Sequence, residues 1–312
     1  MRTPHVNAAA SGLLVLLAAA LLATACAPVG SNRRARSEPA WTSDEGAGSP
    51  DTGSPGAGAA SPTSSGGAAG SGGAAGGASL DGPGSTPVGV RPPVVTHGPR
   101  TEPVVALTFD ADLTDAMEHN LDTRKVSSYA NLTVLDILQR REIPATFFLT
   151  GKWVERYPEV TRRLAADPDF ELANHTYSHG GFVAGCYGLP AVRPAKRAEE
   201  VRRTFDLIAP FGGNQTRYFR FPGGCYDDGA LDSLAPLGVT VIQWDVVSGD
   251  PFAKAAKPLV DAVLADVKPG SIVVMHITKA NAEYTDEALG PILDGLSARK
   301  LRPVRLSTLL GQ

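Results

Sequence analysis

At 312 residues and 43% hydrophobic content, the chain is long enough for one large domain or two small ones with a packed core. A net charge of −3 leaves no basic footprint, so nucleic acid is excluded as a partner on electrostatic grounds. Gly and Pro crowd into the first hundred positions, and periodic apolar segments begin only near Pro103.

The N-terminus reads as an export signal. Arg2 supplies the positive charge, and Gly12 to Leu22 form an apolar stretch too short to span a bilayer. Ala23-Thr24-Ala25 then leads into Cys26, which resembles a bacterial lipoprotein signal in which the cysteine is lipidated. An ordinary cleaved signal is the alternative. Residues 27–100 are rich in Gly, Ala, Ser, Pro and Thr and cannot bury enough surface to offset their ordering entropy. They read as a disordered linker, without the Gly-Lys-Ser/Thr ending of a phosphate loop. The expected organisation is a signal segment over 1–26, a linker over 27–100 and a folded domain over 101–312. The chain is expected to sit on the extracellular face of the membrane through lipid on Cys26, or else to be secreted. With Cys26 set aside, Cys186 and Cys225 remain, an even number in an exported chain. They form one disulfide or stay as two buried thiols.

Seven β-like runs follow in order: Val104–Phe109, Ala145–Thr150, Phe170–Asn174, Tyr218–Phe221, Val239–Trp244, Ile272–His276 and Pro303–Leu306. Helical periodicity lies between them, over Asn131–Arg141, Lys152–Ala166, Pro194–Ile208, a short piece near Ala230–Ala235 capped by Asp228, Lys257–Asp266 and Ala282–Ala298. Alternation of this length predicts an α/β fold of parallel strands with helices outside, better suited to a barrel than to an open sheet.

Reactive residues fall at the strand ends. Asp110 and Asp112 come just after the first run, His175 and His179 follow the third, and Arg220 lies in the fourth. Asp245 and Asp250 follow the fifth, and His276 closes the sixth. In a parallel barrel these ends converge on one face. His175-Thr176-Tyr177-Ser178-His179 is read as a helical turn with both imidazoles on one face, spaced for a single divalent metal. Two histidines and a carboxylate suit Zn²⁺, with Co²⁺ or Ni²⁺ possible, and leave a position open for water. A second carboxylate as base and a further histidine as acid complete a kit for metal-assisted hydrolysis of an amide or ester. Singly, these residues also have bland readings: Asp110 and Asp112 as turn residues, Arg220 as an ion-pair partner, Asp245 as a loop cap and His276 as a core histidine.

Five segments occur in a telling order: Val105-Ala106-Leu107-Thr108-Phe109-Asp110, His175-Thr176-Tyr177-Ser178-His179, Arg220-Phe221-Pro222-Gly223-Gly224, Trp244-Asp245-Val246-Val247-Ser248-Gly249-Asp250 and Ile272-Val273-Val274-Met275-His276. Together they resemble the polysaccharide deacetylase family, also called the NodB homology domain or carbohydrate esterase family 4, over roughly Pro103 to Leu310. The resemblance implies an irregular (β/α)7 barrel that removes acetyl groups from N-acetylated sugars of peptidoglycan, chitin or related polymers. It assigns Asp110 as base, His175 and His179 as metal ligands, Arg220 as the partner of the base, His276 as acid and Asp250 as the carboxylate that orients it. The backbone N–H of Gly223 would face the tetrahedral oxyanion.

There are three departures from the family pattern. Ala111 stands where the metal-binding carboxylate is usual, and Asp112 comes one residue later; ligation by the two histidines and water is the alternative. Pro251 follows Asp250 where Trp is common, and Trp244 either lines the acetyl pocket or packs in the core. Gly223 replaces an aromatic residue. The expected function is metal-dependent deacetylation of an N-acetylated glycan by a monomer. The alternatives are a non-catalytic carbohydrate-binding protein on the same fold and an O-acetyl esterase. A Cys186–Cys225 disulfide would tie the metal-bearing loop to the arginine-bearing loop.

Overall fold

The structure is a computed structural model that describes residues 82–312. The expected signal segment, Cys26 and the linker as far as residue 81 lie outside the described residues.

Among the described residues nine strands form one parallel sheet: β1 (Val94–Val95), β2 (Val104–Ala111), β3 (Ala145–Leu149), β4 (Phe170–Asn174), β5 (Asn214–Phe219), β6 (Thr240–Ile242), β7 (Val246–Val247), β8 (Ile272–His276) and β9 (Arg302–Val304). Their order is β1-β6-β5-β4-β3-β2-β8-β7, with β9 on the first three residues of β2. All seven expected runs are strands, and the fold is a distorted (β/α) barrel. β1 and β7, two residues each, are too short to show a period and escape the sequence reading.

The described residues hold nine α-helices, the last of them after β9: α1 (Asp115–Asp122), α2 (Leu132–Arg140), α3 (Gly151–Arg156), α4 (Pro158–Ala166), α5 (Pro194–Ile208), α6 (Asp228–Asp232), α7 (Ala256–Asp266), α8 (Thr285–Ala298) and α9 (Leu306–Leu310). The single helix expected over Lys152–Ala166 is two, because Pro158 brings no N–H to continue the ladder and starts α4 instead. α6 is capped by Asp227, whose side chain accepts from Ala230 N–H at 2.7 Å, one residue before the expected Asp228.

The period of two along β2 organises the two sides of the sheet. Val105, Leu107, Phe109, Ala111 and Leu113 face the helix layer and share a core with α2, α7 and α8. Ala106, Thr108, Asp110 and Asp112 face the other way. Ala106 joins Phe148, Ala173, Tyr218, Ile242 and Leu306 in a second core, while the carboxylates lie further along, at the C-terminal end of the strand.

The domain begins earlier than composition predicts. Val94–Val95 pairs with Val241–Ile242, Thr86 N–H donates to Gly238 C=O at 3.2 Å, and Arg91 pairs with Asp228 and Asp232. Residues 82–100 thus belong to the folded domain rather than to the linker. Gly and Pro content identified them as linker, whereas their backbone groups are used by β6 and its neighbours.

Candidate active site

The histidine loop is not helical. β4 ends at Asn174, and His175–His179 is irregular, with Thr176 at φ 69° and His179 at φ 58°. Thr176 is β-branched and does not take the left-handed region readily, so the surroundings must hold it. His175 N–H donates to Leu149 C=O at 2.9 Å, and Thr176 N–H donates to Asn174 Oδ1 at 3.0 Å. Glu200 of α5 accepts from Tyr177 N–H (3.1 Å), Ser178 N–H (2.8 Å) and Ser178 Oγ (2.9 Å) through one carboxylate oxygen. The N–H groups of Gly151 and Lys152, which open α3, donate to Thr176 and Tyr177 C=O at 3.0 Å each. The imidazoles reach the same place as on a helix by another backbone path, with ring centroids 5.0 Å apart.

Asp112 meets them. Its Oδ1 lies 3.5 Å from His175 Nε2 and 3.3 Å from His179 Nε2. One ligand atom from each of the three lies within 4.8 Å of the others. The extra residue relative to the family pattern does no harm, because an extended chain returns the side chain to the same face after two residues. Ala111, between the carboxylates, is buried against the helix layer. Asp112 Oδ2 accepts from Asn281 Nδ2 at 2.7 Å, whereas Oδ1 is buried with no hydrogen-bond donor. His175 Nδ1 lies 2.9 Å from Arg220 C=O, which can only accept. That bond puts the proton on Nδ1 and leaves the Nε2 lone pair facing Asp112. Burial pushes both His175 and His179 down to about 4, so both stay neutral near pH 7. Two neutral imidazole nitrogens around an orphaned carboxylate oxygen fit a divalent cation and little else. Burial also raises Asp112 above the usual carboxylate range, and a bound cation would reverse that shift.

Two further pairs flank this centre. Arg220 Nη1 donates to Asp110 Oδ1 at 2.6 Å, and both residues are buried. The guanidinium also donates to Thr108 Oγ1 (2.9 Å) and Ile242 C=O (3.3 Å), with its carbon 4.0 Å from the Phe148 ring centroid and 5.3 Å from that of Trp244. Burial alone would raise Asp110, but the charge and hydrogen bond of Arg220, helped by the charge of His276, outweigh it and hold the carboxyl low. On the other side, Asp250 Oδ1 lies 2.9 Å from His276 Nδ1 and accepts from Ser248 Oγ at 2.9 Å. Asp250 Oδ2 accepts from His276 N–H at 2.7 Å and Thr285 Oγ1 at 2.9 Å. Burial lowers His276, yet the Asp250 charge and hydrogen bond, helped by Asp112 and Asp110, raise it to about 10. His276 Nε2 lies 3.7 Å from Asp112 Oδ2.

Asp110, Asp112, His175, His179, Arg220, Asp250 and His276 therefore form one cluster. Asp245 is not part of it: its carboxylate accepts from Arg100 (2.6 Å), Ser271 Oγ (3.1 Å) and Ile272 N–H (2.8 Å). Trp244 lies against Gly224, where a Cβ would stand 2.5 Å from its ring. Cys186 and Cys225 form a disulfide with a Cα–Cα distance of 6.0 Å. The supporting residues Thr108, Asn174, Glu200, Ser248, Asn281 and Thr285 were missed. Thr108 and Ser248 each carried a local signal, a hydroxyl two residues before an aspartate.

The sequence profile of the family described as polysaccharide deacetylase matches residues 97–242. A chitooligosaccharide deacetylase from Sinorhizobium fredii is 31% identical over 166 residues, which cover 51% of this chain and 74% of that protein. The chain belongs to the polysaccharide deacetylase family. As a member it is a deacetylase, a hydrolase. A peptidoglycan-N-acetylglucosamine deacetylase from Bacillus cereus is 26% identical over 213 residues, covering 68% of this chain and 70% of that one. A solved peptidoglycan N-acetylglucosamine deacetylase superimposes with a TM-score of 0.60 at 24% identity, over 70% of this chain and 93% of its own; the match shows that the deacetylase shares its fold.

Proposed function

We propose that the chain removes acetyl groups from N-acetylated sugars of a chitin-like or peptidoglycan polymer, with a divalent cation, Zn²⁺ first among candidates, on Asp112, His175 and His179. The observation that carries this reading is the orphaned Asp112 Oδ1 facing two neutral imidazoles, with a carboxylate held ionised on one side and an imidazole held protonated on the other. Titratable groups whose surroundings push them in opposite senses mark the base and the acid.

A cation bound there polarises the acetyl carbonyl and makes water more acidic. Asp110 is the base. Arg220 engages its Oδ1, and Oδ2, 3.6 Å from His175 Nε2, takes the proton from the attacking water. Arg220 fixes the carboxylate's rotamer and keeps it ionised. His276 is the acid: Asp250 occupies Nδ1, so the proton on Nε2 goes to the sugar nitrogen as the C–N bond breaks. The Gly223 N–H is assigned to the developing oxyanion.

The relatives' printed names support N-acetylglucosamine polymers as the substrate class. The case for a non-catalytic binding protein rested on a displaced carboxylate, and Asp112 at 3.3 to 3.5 Å from the histidines removes that motive. The N-terminal sequence supports export and attachment through Cys26.

Acetate release from N-acetylglucosamine oligomers and peptidoglycan, with and without chelator, tests the reading on wild type and His175→Ala. Activity should vanish with chelator, and the variant should lose both stoichiometric metal and turnover. Activity indifferent to both would refute it.

A further inference from the structure

Cys186-Tyr187-Gly188-Leu189 is a tight turn in which Leu189 N–H donates to Cys186 C=O at 2.9 Å. Both central residues have positive φ, 48° at Tyr187 and 73° at Gly188. Glycine and asparagine suit such a turn; a tyrosine in its first central position does not. Side chains kept in this region against their preference concentrate at functional sites.

Two features hold Tyr187 there. Cys186, its neighbour, is bonded to Cys225, so the turn is fastened to the loop that follows Arg220. The ring also lies on Gly223: a Cβ at that glycine would stand 2.7 Å from Cys186 Sγ and 3.0 Å from the Tyr187 ring. Only a residue without a side chain leaves room for the ring.

The ring so held is not buried. Tyr187 is 44% exposed and faces Phe252, itself 43% exposed, with centroids 6.3 Å apart. Phe252 lies two residues beyond Asp250, the partner of His276. The two rings thus join the histidine-bearing loop, which the disulfide fastens to the loop of the base's arginine, to the loop of the acid's carboxylate. Of the seven large apolar side chains exposed among the described residues, Tyr187, Tyr226, Val247 and Phe252 belong to these loops or to the short β7 beside them, so the apolar exposure is concentrated on the site's own face.

A pyranose ring has an apolar C–H face and a hydroxyl rim, and the C–H face stacks on an exposed aromatic ring. We propose that Tyr187 and Phe252 form a sugar-stacking subsite, locked by the Cys186–Cys225 disulfide, for the residue flanking the one that loses its acetyl group. The proposal rests on the deacetylase reading above. It makes Tyr187 and Phe252 determinants of polymer length preference and leaves the chemical step to the cluster below them.

The test uses the metal-loaded full chain. Tyr187→Asn removes the ring but tolerates positive φ, which separates stacking from turn strain; Tyr187→Phe keeps the ring. Kinetics are measured on an N-acetylglucosamine pentamer and on 4-nitrophenyl acetate, and binding by co-sedimentation with insoluble poly-N-acetylglucosamine. Tyr187→Asn and Phe252→Ala should raise KM for the pentamer about tenfold, weaken co-sedimentation and leave the small ester unchanged. Tyr187→Phe should match wild type, and Cys186→Ser/Cys225→Ser should reproduce the loss seen in Tyr187→Asn. If wild type turns over the pentamer and all variants match it in KM and co-sedimentation, the subsite is overturned and the deacetylase reading stands. If wild type co-sediments in a Tyr187-dependent way but releases no acetate, the deacetylase reading fails and the subsite stands. Failure of wild type both to bind and to turn over overturns both.

Discussion

Replacing Arg220 by methionine isolates what a buried counter-charge contributes. The change deletes the pair with Asp110 and the hydrogen bonds to Thr108 Oγ1 and Ile242 C=O, while methionine retains most of the stacking volume beside Phe148 and Trp244. Asp110 is then a buried carboxylate without its partner. Breaking such a pair from one side costs about 3–5 kcal/mol, which for a domain of this size lowers Tm by roughly 6–20 °C. Asp110→Asn strands the guanidinium and should cost a similar amount. The double variant should cost less than the sum by about 0.5–3 kcal/mol, because each single change leaves the other charge uncompensated. Urea midpoints for the four proteins close the cycle. Arg220 is also a main cause of the low Asp110 pKa. With it gone, burial dominates, the carboxyl titrates higher, and the acid limb of kcat/KM moves to higher pH. A methionine variant within about 1 kcal/mol of wild type, strict additivity in the cycle, or an unmoved acid limb would each refute the reasoning.

Three further outcomes are expected. Asp250→Asn removes the charge that raises His276 to about 10, so the imidazolium loses its proton more easily and the alkaline limb of the pH–rate profile shifts toward neutrality; a limb that stays in place would exclude His276 as the acid. Asn281→Ala frees Asp112 Oδ2 and should weaken metal affinity about 10–100-fold in a competition titration with a chromophoric chelator, a range drawn from other outer-shell partners of metal ligands; unchanged affinity would show that the amide does not orient the carboxylate. Glu200→Ala leaves the Tyr177 and Ser178 N–H groups without their acceptor and should destabilise the domain by about 1–3 kcal/mol. Metal binding should fall with it, as measured by urea melts and metal analysis.

Much of the barrel was legible because its strands are short apolar runs, and a parallel strand buried on both faces reads that way whatever surrounds it. The placement of Asp110, Arg220, Asp250 and His276 was legible for the same reason: strand ends of a parallel barrel share a face. Residues 82–100 were misread because composition reports what a segment lacks, and their order comes from partners such as Gly238 and Val241, more than 140 positions away.

The histidine pair marks the boundary between the two kinds of knowledge. Residue identity and spacing determined that His175 and His179 are ligand-type side chains near one another. Their backbone was decided elsewhere, by the Glu200 carboxylate and the first N–H groups of α3, which fasten Thr176 to Ser178 and hold Thr176 at a positive φ where its β-branched side chain would not put it. The third ligand divides in the same way. That Asp110 and Asp112 share a face follows from the two-residue period of an extended chain and is local. That Asp112 Oδ1 lacks a donor, and so calls for a cation, depends on β3 holding β2 and β4 on either side of it, so that the histidines after β4 reach Asp112, and on Asn281 engaging the other oxygen. Local sequence fixes which groups a strand can present; only the packed fold fixes which of them are left unsatisfied, and the chemistry lies in those.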